Sequence, residues 1–143
     1  MKFLVSLAIF SVMIISSQAH ACSCEFLSME NFREFIKDAD SVILGVPSQD
    51  SQSIGIGEWE VEEVKTKMSI VKNFKGKHTS TIDLVSLKSD GGNCGVDFKK
   101  YDGLYLIFSY LEEGKYVTSG CDVEYIDYEN EELTRVIQEI SRK

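Results

Sequence analysis

Histidine is almost absent from this chain: of the two in 143 residues, His20 and His78, only His78 lies beyond the apolar stretch at the amino terminus. A Ser-His-Asp or Cys-His arrangement needs an imidazole base, so any such site would have to be built on that one side chain. It sits in Lys75-Gly76-Lys77-His78, which reads as an exposed turn. Basic residues are also in short supply, 15 against 23 acidic ones for a net charge of −8. That balance argues against nucleic acid and anionic membrane as partners. A glycine-rich phosphate cradle, a cluster with metal-ligand spacing, internal repeats and low-complexity tracts are all missing. Carboxylate neighbours do occur, Glu62-Glu63 and Glu112-Glu113. Adjacent strand residues point to opposite faces, so these read as solvated charge rather than acid–base pairs. The expectation is a protein that is not an enzyme and has no cofactor of its own.

A long apolar run is lacking too, except at the start. Lys2 precedes Phe3 to Ile15, a stretch too short for a comfortable membrane span of about 20 residues. Polar Ser16-Ser17-Gln18 and the small-x-small Ala19-His20-Ala21 follow, so residues 1–21 read as a secretory signal cleaved after Ala21. A lipoprotein signal, which would leave Cys22 lipidated and held at a membrane, is the competing reading, although Ala19 and His20 depart from its usual pattern. Residues 22–143 then form one domain of 122 residues, secreted or periplasmic and monomeric, with a net charge of −9 once Lys2 is lost.

Four cysteines, at 22, 24, 94 and 121, read as two disulfides in an exported protein. Three pairings are possible. A Cys22–Cys24 ring would constrain little, so two long bridges from the amino-terminal pair to Cys94 and Cys121 are expected, each contributing about 4 to 5 kcal/mol by loop entropy. A zinc site of thiolates is the alternative. It fails on spacing, because neither Cys22-x-Cys24 nor the isolated Cys94 and Cys121 supplies C-x₂₋₄-C pairs, and an oxidising compartment disfavours it. Cleavage after Ala21 would place Cys22 at a free terminus. Its amine and its own carbonyl oxygen then stand side by side and can close a chelate ring on a metal ion.

Along the rest of the chain, Ser28 is expected to cap a short helix carrying Phe32, Phe35 and Ile36 and ending near Asp38. Val42 to Val46 reads as a buried strand stopped by Pro47, and residues 48–57 as a polar loop. Trp59 to Phe74 reads as one long strand, or two broken by a bulge, ending at Gly76. Thr79 to Leu87 is a further strand, and Ser89 to Asn93 a turn leading into Cys94. Leu104 to Tyr110 and Lys115 to Ser119 make a hairpin about Glu112-Glu113-Gly114, closed off by Cys121. Asn130 caps a final helix with Leu133, Val136, Ile137 and Ile140 on one face and Glu131 and Glu132 in its first turn. Phe98, Tyr101, Tyr105, Phe108 and Tyr110 are expected in the core rather than on a base-stacking platform, and Trp59, Tyr125 and Tyr128 at the surface. Five or six short strands with two flanking helices fit a small closed or partly closed OB-type barrel; a β-sandwich is the other arrangement.

Taken in order, Cys22-x-Cys24, Ala39-Asp40-Ser41-Val42 through Gly45, Val71-Lys72-Asn73-Phe74-Lys75-Gly76, Cys94-Gly95, Gly103-Leu104-Tyr105-Leu106-Ile107-Phe108 and the late Cys121 resemble the tissue inhibitors of metalloproteinases. They also resemble the wider netrin-like group, whose members include binding and structural modules of other purpose. The resemblance spans nearly all of residues 22–143, and its specific part is the cysteine spacing. It implies a mostly β fold, a closed five-stranded OB-like barrel with flanking helices, and the pairings Cys22–Cys94 and Cys24–Cys121. It further implies inhibition of zinc metalloendopeptidases, with the amine and carbonyl of Cys22 on the zinc of the target protease. Ser23 would enter the specificity pocket, Cys24 and Glu25 would complete a wedge, and Gly92 and Asn93, with Cys94, would form the adjoining ridge. The chain departs from those inhibitors in having two rather than three disulfides, no second cysteine-rich domain, and Glu25-Phe26 after the second cysteine.

Overall fold

The computed structural model describes residues 22–57, 60–127 and 129–142. The expected signal segment 1–21, Trp59 and Tyr128 lie outside the described residues. In chain order the elements are α1 (Phe32–Asp38), β1 (Ser41–Pro47), β2 (Gln52–Ile56), β3 (Glu62–Lys75), β4 (Thr81–Leu87), β5 (Tyr105–Glu112), β6 (Lys115–Val117), β7 (Val123–Tyr125) and α2 (Glu131–Ser141), with a 3₁₀ turn at Gly120–Asp122.

Strand β1 pairs with β3 on one side and β5 on the other, β3 pairs with β4, β4 runs parallel to β6, and β6 pairs back to β5. That circuit closes a five-stranded barrel of OB type, with β2 extending it beside β3 and β7 beside β5. β1 and β5 are apolar on both faces because both faces are covered, one by the barrel interior and the other by the helices. Ile43 and Ile107 turn inward to meet Met68, Ile82, Leu84 and Phe98. Their neighbours Val42, Leu44, Leu106 and Phe108 face outward and are covered by Phe32 of α1 and Leu133, Val136 and Ile140 of α2.

Both helices obey local rules, with one correction. Asn130 caps α2, its side-chain oxygen accepting from the Leu133 N–H at 3.0 Å. Helix α1 starts at Phe32, later than a cap at Ser28 implies, because residues 29–31 form a turn and the Phe32 N–H reaches the Ser28 carbonyl. The carboxyl end of α1 is held by Lys75, whose Nζ donates to the carbonyls of Ile36 (2.8 Å), Lys37 (3.0 Å) and Ala39. A cation at that end satisfies orphan acceptors and complements the helix dipole.

Further corrections concern segments whose structure is set from elsewhere. Residues 52–56, expected as loop, form β2, a fully exposed strand held to β3 by backbone bonds. Exposure on both faces leaves no apolar alternation to read. Pro47 is the last residue of β1 rather than the stop before which it ends. Tyr101 is 66% exposed instead of buried. His78 is half-buried rather than exposed, packing edge-on against Tyr116 at 4.7 Å, and burial lowers its pKa.

Candidate functional site

Residues 22–28 run without helix or strand along the outside of the barrel. Cys22 is bridged to Cys94 and Cys24 to Cys121, with Cα–Cα separations of 5.1 and 5.0 Å. Ser23, between the two anchored residues, is exposed, as are Glu25 and Phe26, the latter 83% exposed. Two carboxylates from the far end of the chain hold the next turn. Glu124 of β7 accepts from the Leu27 N–H at 3.5 Å, and Glu132 of α2 accepts from the Met29 N–H at 2.9 Å. Asn31 ties the segment from within. Its Nδ2 donates to the Phe26 carbonyl and to Glu25 Oε1, and its Oδ1 accepts from the Ser28 N–H.

The loop that carries Cys94 is organised by two side chains. Asp90 Oδ1 accepts from the N–H groups of Gly92 and Asn93, both at 2.8 Å, and these bonds hold its carboxyl below the usual aspartate range. Asn93 Oδ1 accepts from the Gly95 N–H at 2.9 Å, while its Nδ2 donates to the Lys88 carbonyl. Position 95 admits no side chain, since a Cβ there would lie 2.5 Å from the Leu87 carbonyl oxygen. The Gly120 N–H donates to the Cys94 carbonyl at 2.7 Å and so joins the two cysteine-bearing loops. Around Cys121, the Ser119 hydroxyl accepts from the Cys121 N–H, and Tyr110 donates to Asp122. Burial, reinforced by Asp122, pushes the Tyr110 hydroxyl up to about 12.

Of the residues singled out from the sequence, Cys22, Ser23, Cys24 and Glu25 thus occupy one continuous surface strip, and the Gly92-Asn93-Cys94 loop is bonded to it through Cys22. Gly92 is exposed. Asn93 is turned into its own loop, where it shapes the backbone instead of offering a side chain to solvent. The anchoring roles of Asn31, Glu124 and Glu132 were not visible in the sequence. Glu124 meets Leu27 across 97 positions and Glu132 meets Met29 across 103, and no local pattern marks such pairs.

Glu124 has a measurable signature. Burial raises its pKa above the ordinary 4.5, with the Leu27 N–H opposing. The folded state therefore prefers the protonated acid. Its contribution is complete below about pH 4.5 and is lost as pH rises through the raised value. In Glu124→Gln the amide keeps an acceptor for Leu27 without the ionisation. The variant is expected to be more stable than the parent at neutral pH, with the gap in urea midpoint closing on acidification; a gap independent of pH would exclude this account.

A comparison with models of known protein families finds no match, and no curated protein matches the chain. No helix among the described residues is long and apolar enough to cross a membrane.

Proposed function

We propose that the chain is exported, that cleavage after Ala21 frees the Cys22 amine, and that the mature protein reversibly blocks a zinc metalloendopeptidase in the manner of the tissue inhibitors of metalloproteinases it resembles. The observation that carries this reading is the double clamp. Cys22 and Cys24 are bonded to two different loops, and Ser23 is exposed between them. Two bridges fix the backbone of the leading residues in advance, so little ordering entropy is left to oppose binding.

A catalytic zinc keeps one position open for water, and a bidentate ligand can take that position and displace the nucleophile. The Cys22 amine and carbonyl oxygen supply such a pair. An α-amino group has an ordinary pKa of about 7.7 to 8.0, so giving up its proton to zinc near neutral pH costs little. Ser23 enters the adjoining pocket, Glu25 and Gly92 flank it, and Asn93 acts by holding the ridge. Phe26, a large apolar side chain left in solvent beside the clamp, adds the kind of anchor that interface centres use.

The test is to assay the exported protein, a form extended by one alanine before Cys22, and a form acetylated at its amine against a panel of zinc endopeptidases. Inhibition is expected from the first alone, with thermal midpoints unchanged across the three. Equal inhibition by the extended form would overturn chelation.

A further inference from the structure

Among the described residues, three buried side-chain atoms have no hydrogen-bond partner in the protein: Ser41 Oγ, Ser109 Oγ and His78 Nε2. Buried polar atoms are almost always paired, so such atoms call for an explanation. These three belong to one end of the barrel, with Ser41 between the other two. Ser41 opens β1 and is the cross-strand partner of Ser109 of β5. Strand alternation turns both inward, beside Ile43 and Ile107 of the same face, and they are 0% and 1% exposed. On the other flank of β1, the chain leaves β3 through Gly76 and comes back with His78. Asn73 Nδ2 pins that turn by donating to the carbonyls of Gly76 and His78, both at 3.0 Å. A Cβ on Gly76 would lie 2.9 Å from His78 Nε2 and 3.4 Å from Ser41 Cβ, so the nitrogen and Ser41 border the same spot. Gly76 has a φ of +102°, a conformation that favours glycine, and the missing side chain lets the imidazole settle there.

Two serines and a glycine thus border the site where the adjoining layer has two isoleucines. This end of the barrel is built from small polar groups rather than from the hydrocarbon that fills its middle. Tyr116, edge-on to the imidazole at 4.7 Å, covers the ring. A Ser-His nucleophile pair would need a substrate to reach Ser41, which its burial denies. A metal ion is a poor match, because two hydroxyls and an imidazole whose burial favours the neutral form bring no charge to offset the ion's desolvation. Each hydroxyl can donate or accept, and Nε2 does one or the other according to its tautomer. Water, with two protons and two lone pairs, satisfies any of these combinations, and internal waters typically make about three hydrogen bonds.

We propose that one water molecule is bound inside the barrel between Ser41, Ser109 and His78, as a fixed part of the fold at the end closed by the turn from β3 to β4. The inference does not depend on protease inhibition. Oxygen-17 relaxation dispersion of the solvent counts long-lived internal waters, and it is applied to the oxidised protein and to the double variant Ser41→Ala/Ser109→Val, whose methyl groups take the place of the hydroxyls. The variant is expected to hold one long-lived water fewer than the parent; equal counts would overturn the proposal. A high-resolution crystal structure of the parent tests the same point without any variant. A solvent oxygen is expected about 2.7 to 3.2 Å from His78 Nε2 and hydrogen-bonded to both serines. Serines bonded directly to each other or to carbonyl oxygens, with no solvent density between them and His78, would refute it.

Discussion

Replacing Cys24 and Cys121 together by alanine is expected to lower the unfolding free energy by about 2 to 5 kcal/mol. The bridge closes a loop across 97 positions and joins the leading strap to the turn before β7. With Cys22–Cys94 kept, the ring that this bridge closes runs from Cys24 through Cys22 and Cys94 to Cys121, about 29 residues, for which loop-entropy arithmetic gives about 3.6 kcal/mol, most of it exerted on the unfolded chain. Removing the Cys22–Cys94 bridge instead opens the same ring, so it should cost nearly as much. Urea titration reads both quantities: the midpoint falls, and the slope rises as the unfolded chain expands. An unmoved midpoint would refute the argument. The Cys24/Cys121 variant also bears on function, because it keeps the Cys22 amine and its bridge while freeing the residues that follow. Inhibition should weaken without vanishing, in contrast to the complete loss expected from extending the terminus.

Phe108→Ala should cost about 3 to 5 kcal/mol, the range for truncating a buried aromatic. Phe108 is 1% exposed on the outward face of β5, with its ring edge-on to Phe35 of α1 at 5.5 Å and Leu133, Val136 and Ile140 of α2 in the same cluster. Neither helix is long, so each depends on burying its apolar face. Amide exchange should therefore accelerate in both helices more than in β3 and β4, whose inward residues belong to the other cluster. Phe108→Leu, which fills most of the volume, should recover much of the loss. A cost for Phe108→Ala below about 1 kcal/mol would mean that the site collapses around the missing ring.

Where local chemistry decides an element, the residues announce it. Helix α2 is legible from Asn130, the acidic first turn and the apolar spacing of Leu133, Val136 and Ile140, and each of those features is found in place. Strands β1 and β5 are legible as continuous apolar runs. Strand β2 is not, because all five of its residues face water and only the backbone of β3 makes it a strand. Strand β7 and the exposure of Tyr101 are likewise set by neighbours distant in sequence. At the candidate site, Cys22, Ser23, Cys24 and the loop before Cys94 stand out by residue type alone, while Asn93 proves to brace its own loop.

Composition, the period of the apolar residues and the count of cysteines are enough to establish a mostly β domain with two helices and two long bridges, since those features act within a few residues or through simple pairing. Closure of the barrel through β1 and β5, the clamping of Leu27 and Met29 by Glu124 and Glu132, and the bonding of Cys22 and Cys24 to two different loops are decided only when the chain folds. Each depends on groups dozens of positions apart meeting in space, and a linear order carries no distance between them.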